Sequence, residues 1–95
     1  MASSNDYLVY VLDLLREVDG ISSKKMMGEY LLYKDGILFG GIYDNRLLVK
    51  KTASSSLLGL SEQIPYPGGK PMLLVDSESP REVASIVLDL VEDLN

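Results

Sequence analysis

Apolar side chains at Leu8, Val11, Leu12, Leu15 and Val18 recur at intervals of three and four residues, which predicts an amphipathic helix over the first quarter of the chain. Ser3 or Ser4 is placed to cap it, Asp6 lies in its first turn, and Gly20 ends it. Tyr7, Tyr10 and Leu14 fall off the main stripe. The period then shortens. Residues 29–34, 37–43 and 46–50 are apolar-rich runs separated by Asp35-Gly36 and by Asp44-Asn45, both suited to tight turns, so this part reads as a three-stranded meander. Residues 21–27 add a short edge strand before Gly28, and residues 52–61 a short helix with Thr52 at its start. Two prolines and two glycines between positions 65 and 69 mark a loop. Residues 71–76 form a strand whose four consecutive apolar positions imply burial on both faces. Ser79-Pro80-Arg81-Glu82 opens the last helix as a capping box with proline at its first position, and Val83, Ile86, Val87, Leu90, Val91 and Leu94 form its stripe.

The expected fold class is α+β: a mostly antiparallel sheet of four to five strands, with helices at both termini and one short helix between. Two-residue turns set a register in which Lys34 opposes Ile37, Leu32 opposes Phe39, Gly41 opposes Leu48 and Tyr43 opposes Arg46. One face then holds Leu31, Tyr33, Leu38, Gly40, Ile42, Leu47 and Val49, and is assigned to the core. The other mixes aromatic, aliphatic and basic groups: Tyr30, Leu32, Lys34, Ile37, Phe39, Gly41, Tyr43, Arg46, Leu48 and Lys50. A slip of one residue would exchange the sets.

Composition narrows the chemistry. The 95 residues make one small domain, spanning 1–95, and include no Cys and no His. Disulfides, thiolate nucleophiles, Cys/His zinc sites and imidazole bases are therefore excluded. The net charge of −5 argues against a free-standing DNA-binding domain, although residues 24–51 form a local basic island of net charge +3. The amino terminus lacks the basic leader of a signal peptide, and no run approaches the length that spans a bilayer, so a cytoplasmic protein without membrane contact is expected.

Catalytic motifs do not assemble. Ser22-x-x-Lys25 lacks the companion motifs of serine–lysine enzymes. Gly68-Gly69-Lys70-Pro71 has proline where a phosphate loop needs Ser or Thr. No enzymatic activity, cofactor or metal is expected. The mixed face with Tyr30, Phe39 and Tyr43 beside Lys34, Arg46 and Lys50 permits two readings. It is covered by a further helix or a second subunit, as in a homodimer, or it binds an anionic ligand or single-stranded nucleic acid. The first is preferred, and nucleic acid is not favoured.

Three runs stand in order along the chain: Lys25-Met26-Met27-Gly28-Glu29-Tyr30, then residues 40–50 (GGIYDNRLLVK), then Tyr66-Pro67-Gly68-Gly69-Lys70-Pro71-Met72. Together they resemble the amino-terminal domain of the TfoX/Sxy competence-regulator family. The resemblance implies an α+β fold like that of type III secretion chaperones and a bacterial regulatory role exerted through contact with a protein partner or with itself. It implies no catalytic residues. It carries over Gly28, Lys50, Gly69 and Lys70 as marks of a shared surface. Lys50 and Lys70 flank predicted strands, so they are either solvated strand-end groups or a pair that converges on an anion or an acidic partner.

Overall fold

A computed structural model describes residues 2–95. Helix α1 spans Asn5–Leu14, and the Ser4 hydroxyl caps it by accepting from the Tyr7 N–H at 3.1 Å. The chain turns at Gly20, whose φ of +76° suits only glycine, and enters an antiparallel meander. Its strands are β1 (Ile21–Met26), β2 (Glu29–Lys34), β3 (Ile37–Ile42) and β4 (Leu47–Val49). A 3-10 turn over Ser55–Leu58 takes the place of the expected short helix, with the Thr52 hydroxyl accepting from the Ser55 N–H at 3.3 Å. Strand β5 (Glu62–Gln63), strand β6 (Met72–Leu74) and helix α2 (Pro80–Leu94) complete the chain. Helix α2 starts at Ser79 as expected, with Pro80 in its first turn and the Ser79 hydroxyl accepting from the Glu82 N–H, but the capping box is half formed, because the Ser79 N–H donates to the Ser77 hydroxyl at 3.1 Å instead of to Glu82.

All pairings are antiparallel, in one six-stranded sheet ordered β1-β2-β3-β4-β6-β5. The class is as expected, but the strand count exceeds four to five. The extra strand is the two-residue β5, inside a segment whose Pro and Gly content signals only loop. Both helices pack on one face. Val11, Leu14, Leu15 and Val18 from the first helical segment and Val83, Ile86, Val87 and Leu90 from α2 join Tyr30, Leu32, Phe39, Ile42, Leu47, Val49 and Leu73 in a single core. Leu12, placed on the stripe by its spacing, stands at the edge of exposure, and Leu14 takes its place inside.

The assignment of faces is correct for one half of the meander and inverted for the other. Both two-residue turns form as expected: Lys34 pairs with Ile37, and Tyr43 exchanges backbone hydrogen bonds with Arg46. A bulge intervenes. Register shifts between Leu32 and Tyr33, so Leu32 pairs with Gly40 and Tyr30 with Ile42, and Phe39 is the extra residue. Beyond the bulge, Ile42, Leu47 and Val49 enter the core as expected. Before it the sets exchange. Tyr30, Leu32 and Phe39 are buried beneath the helices, while Leu31, Tyr33 and Leu38 are half-buried and belong to the opposite face. Phe39 is fully buried.

The carboxyl end of α2 is tied back to the 3-10 turn. The Asp93 carboxylate accepts from the Ser54 hydroxyl at 2.7 Å and the Ser54 N–H at 2.8 Å. These donors, the hydroxyl first, hold the Asp93 carboxyl below its ordinary range. A carboxyl depressed in the folded state stabilises above the unfolded value, about pH 4, and that contribution disappears as pH falls through the folded value. Asp93→Asn is accordingly expected to flatten the acid limb of a stability–pH curve measured by urea unfolding, with little change in slope above pH about 5. An unchanged acid limb would place the titrating group elsewhere.

Candidate functional site

The helix-free face of the sheet is where the site lies. The dent at Gly41, directly opposite Leu48, is filled by the chain itself. A Cβ on Gly41 would lie 2.8 Å from the Tyr43 ring, so the missing side chain is what lets that ring lie across the sheet. Leu48 is buried although it is outside the helical core, and Tyr43 is nearly so. Burial, then the neighbouring Tyr66, Glu29 and Tyr33, raises the Tyr43 phenol above its ordinary value, so it stays neutral at physiological pH.

The loop between β5 and β6 reaches over this face. Tyr66 sets its ring against Tyr43, centroids 6.0 Å apart and tilted by 48°. The Gly69 N–H closes a turn on the Tyr66 carbonyl at 2.9 Å. A side chain at Gly69 would press on Pro65 and Tyr66, each at 3.1 Å. Between loop and sheet lies a cavity of about 590 Å³, with Leu38, Tyr43, Tyr66 and Met72 among its walls and with Lys50, Lys51 and Lys70 contributing its only charged side chains.

Arg46 holds the loop. Its guanidinium donates to the Gln63 side-chain oxygen at 2.7 Å and to the Ile64 carbonyl at 3.3 Å, and its Nε donates to the Tyr43 carbonyl at 3.1 Å. Its donors are therefore turned to the protein, and Arg46 positions the loop. Arg46→Ala is expected to cost about 1–2 kcal/mol and to accelerate hydrogen exchange of the Gly69 amide, because hydrogen bonds to a charged group are lost. Unaltered exchange at Gly69 would show that the loop holds itself.

Glu29 performs a similar task at the same β3–β4 turn. Its carboxylate accepts from the Ser3 N–H at 2.9 Å, from the Ser3 hydroxyl, and from the Asp44 N–H at 2.9 Å. The Ser3 hydroxyl in turn accepts from the Asn45 N–H at 3.0 Å. The residues that precede α1 are thereby fastened to the β3–β4 turn, whose Asp44 and Asn45 both have positive φ.

The eight residues singled out from the sequence thus separate. Tyr43, Lys50, Gly69 and Lys70 meet at one cavity. Arg46 supports that cavity's loop. Gly28 lies in the β1–β2 turn at φ +82°, where a Cβ would meet Ala2 at 3.0 Å. Tyr30 and Phe39 are interior, because the bulge turns their half of the sheet over, and so only Tyr43 of the three rings remains on the open face. Leu38, Tyr66 and Met72 were not singled out. Tyr66 and Met72 stand within the third run quoted above, which was the one available signal for them.

The structural uses of Gly28-Glu29-Tyr30 and of Asp44-Asn45-Arg46 give two of the three runs a physical reason to recur together. A family model described as the TfoX N-terminal domain matches residues 13–67, more than half of the sequence. The chain belongs to the TfoX N-terminal domain family. It is also 34% identical over 86 residues to a Spirochaeta aurantia protein described as an uncharacterized 12.7 kDa protein in the trpE 5′ region, an alignment covering 85% of this chain and 75% of that one. The family match takes in the last two residues of α1, the whole meander and the loop as far as Pro67. Among the described residues no helix is long and apolar enough to cross a membrane.

Proposed function

We propose that this TfoX N-terminal domain is a small, non-enzymatic regulatory module of the competence-regulator type, acting through protein–protein contact on the helix-free face of its sheet. The observation that carries the reading is the contrast between the two faces. One is sealed by α1 and α2. The other leaves Leu31 and Tyr33 half-buried and Met26 48% exposed, with no second layer over β1 and β2 among the described residues. Apolar side chains set among polar ones, such as the Lys24 that pairs with Leu31, are a usual basis for association. The absence of His and Cys supports a role without acid–base or thiol chemistry. A second copy of the chain is a suitable occupant, since a two-layer domain of this size gains by covering such a face. A cytoplasmic setting accords with this role.

Sedimentation and a transformation assay test the proposal together. The native chain is expected to reach dimer mass at about 100 μM, and Tyr33→Glu to return it to monomer with the melting temperature that the native chain shows when diluted to monomer, because the new charge opposes the interface and not the fold. In a naturally transformable host, Tyr33→Glu is expected to abolish regulation of DNA uptake. Full regulation by the variant would overturn the assignment of this face.

A further inference from the structure

We propose that the cavity beneath the β5–β6 loop binds a small organic anion, its carboxylate or phosphate group held by Lys50 and Lys70 and its apolar or aromatic body seated against Tyr43, Leu38 and Met72. This is a small-molecule site, distinct from protein docking on the β1–β2 part of the face.

The charge of the lining is the first argument. On a chain of net charge −5, three lysines and no acidic residue line this cavity. Lys51 is engaged, its ammonium 2.9 Å from the Glu62 carboxylate. Lys50 and Lys70 take part in no ion pair among the described residues, although carboxylates outnumber cations in the sequence by 14 to 9. Two like charges brought to one concave wall repel each other, and an anion between them removes that repulsion.

The second argument is size and shape. At about 590 Å³ the space matches the range that small-molecule sites occupy, roughly 300–1,000 Å³. The loop narrows it in a way that suits a compact ligand better than a polymer: Tyr66 closes on Tyr43, and Gly69 is packed on Pro65 and Tyr66. The two rings are tilted by 48°, so they offer an edge and a face to one planar group instead of a parallel slot for stacked bases.

The third argument is that the site is held in shape. Arg46 spends its donors on the loop's carbonyls, on Gln63 and on the Tyr43 carbonyl, and the Ser55 hydroxyl fixes the Lys50 carbonyl at 2.9 Å. The Lys50 backbone is therefore anchored while its ammonium group stays free to meet a ligand.

Phenyl phosphate and 4-hydroxybenzoate are suitable probes, with inorganic phosphate and benzyl alcohol as the separated charged and apolar halves. They would be titrated into the full chain and followed by amide chemical shifts. The expected result is saturable shifts at Gly68, Gly69, Lys70 and Lys50 with at least one whole probe, and at least about tenfold weaker binding of each half. Lys50→Gln combined with Lys70→Gln should weaken the whole probe about tenfold without changing the melting temperature, and added salt should do the same to the native chain. Lys24→Gln, on the edge strand, should not. No saturable shift with any probe up to about 10 mM, or equal affinity in the double variant, would overturn the proposal. Dimerisation or regulation lost without effect on probe binding would bear on the protein-contact reading alone.

Discussion

Phe39→Ala is expected to lower stability by about 3–5 kcal/mol, and Leu38→Ala by only about 1 kcal/mol. Simple alternation from the Asp35-Gly36 turn assigns the opposite order, since it places Leu38 in the core and Phe39 outside. The bulge at Leu32/Tyr33 decides the matter by making Phe39 an unpaired extra residue whose ring is fully buried in the core that the sheet shares with the helices. Removing the ring opens a large cavity in that core, and α2, which packs against β3, would have to move to close it. Leu38 lies on the other face at the edge of the loop cavity and loses mainly partial burial. A domain of this length has about 5–14 kcal/mol in total, so the Phe39 substitution should lower the melting midpoint by roughly 15 °C or more. Urea unfolding of the two single variants is the measurement. Comparable losses, or a larger one at Leu38, would show that the strand alternates without interruption.

What could be read from residues alone depended on how local the determining interaction is. The start of α2 is set within four residues, Ser79 to Glu82, and its stripe from Val83 to Leu90 faces the core as its spacing requires. The two hairpin turns are equally local, since Asp35, Asp44 and Asn45 take the positive φ their type tolerates. A bulge is different. It arises in the pairing of β2 with β3, and its trace in the sequence is Gly40-Gly41 inside an otherwise apolar strand, which also suits a ligand or a neighbouring ring. One undetected extra residue then exchanged Tyr30, Leu32 and Phe39 for Leu31, Tyr33 and Leu38, as a period of two requires. The same logic explains the partial recovery of the site. Lys50 and Tyr43 lie beyond the bulge, where alternation holds, and Gly69 and Lys70 are brought to them by a loop. Arg46 was singled out for the open face, but its partners, the Gln63 side chain and the carbonyls of Ile64 and Pro65, lie in a loop whose approach sequence patterning does not reveal.

Gly40 bears the tightest approach between strands, and Gly40→Ala separates two opposing effects. In an open strand the change to alanine gains about 0.5–1 kcal/mol, because the unfolded chain loses freedom and strands favour a side chain. At this position the new Cβ would lie 3.0 Å from the Val49 Cα and closer still to the Leu48 carbonyl oxygen. Both are backbone atoms of β4, a three-residue strand at the middle of the sheet that has β6 on its far side, so neither can swing away as a side chain does. The strands must part, which strains the pairing of Gly40 with Val49 and the seat of Phe39 beside it. Overpacking of this kind costs about 3 kcal/mol, which outweighs the intrinsic gain several-fold. The expected result is a melting midpoint lower by roughly 10 °C or more, together with altered amide shifts at Lys50, whose N–H donates to the Phe39 carbonyl at 2.9 Å. Gly36→Ala is the control: it meets nothing within 4 Å, so its cost is confined to the φ of +82° and should be near 1 kcal/mol. If Gly40→Ala proves no more harmful than Gly36→Ala, the backbones of β3 and β4 do not approach at Gly40 as closely as the structure has them.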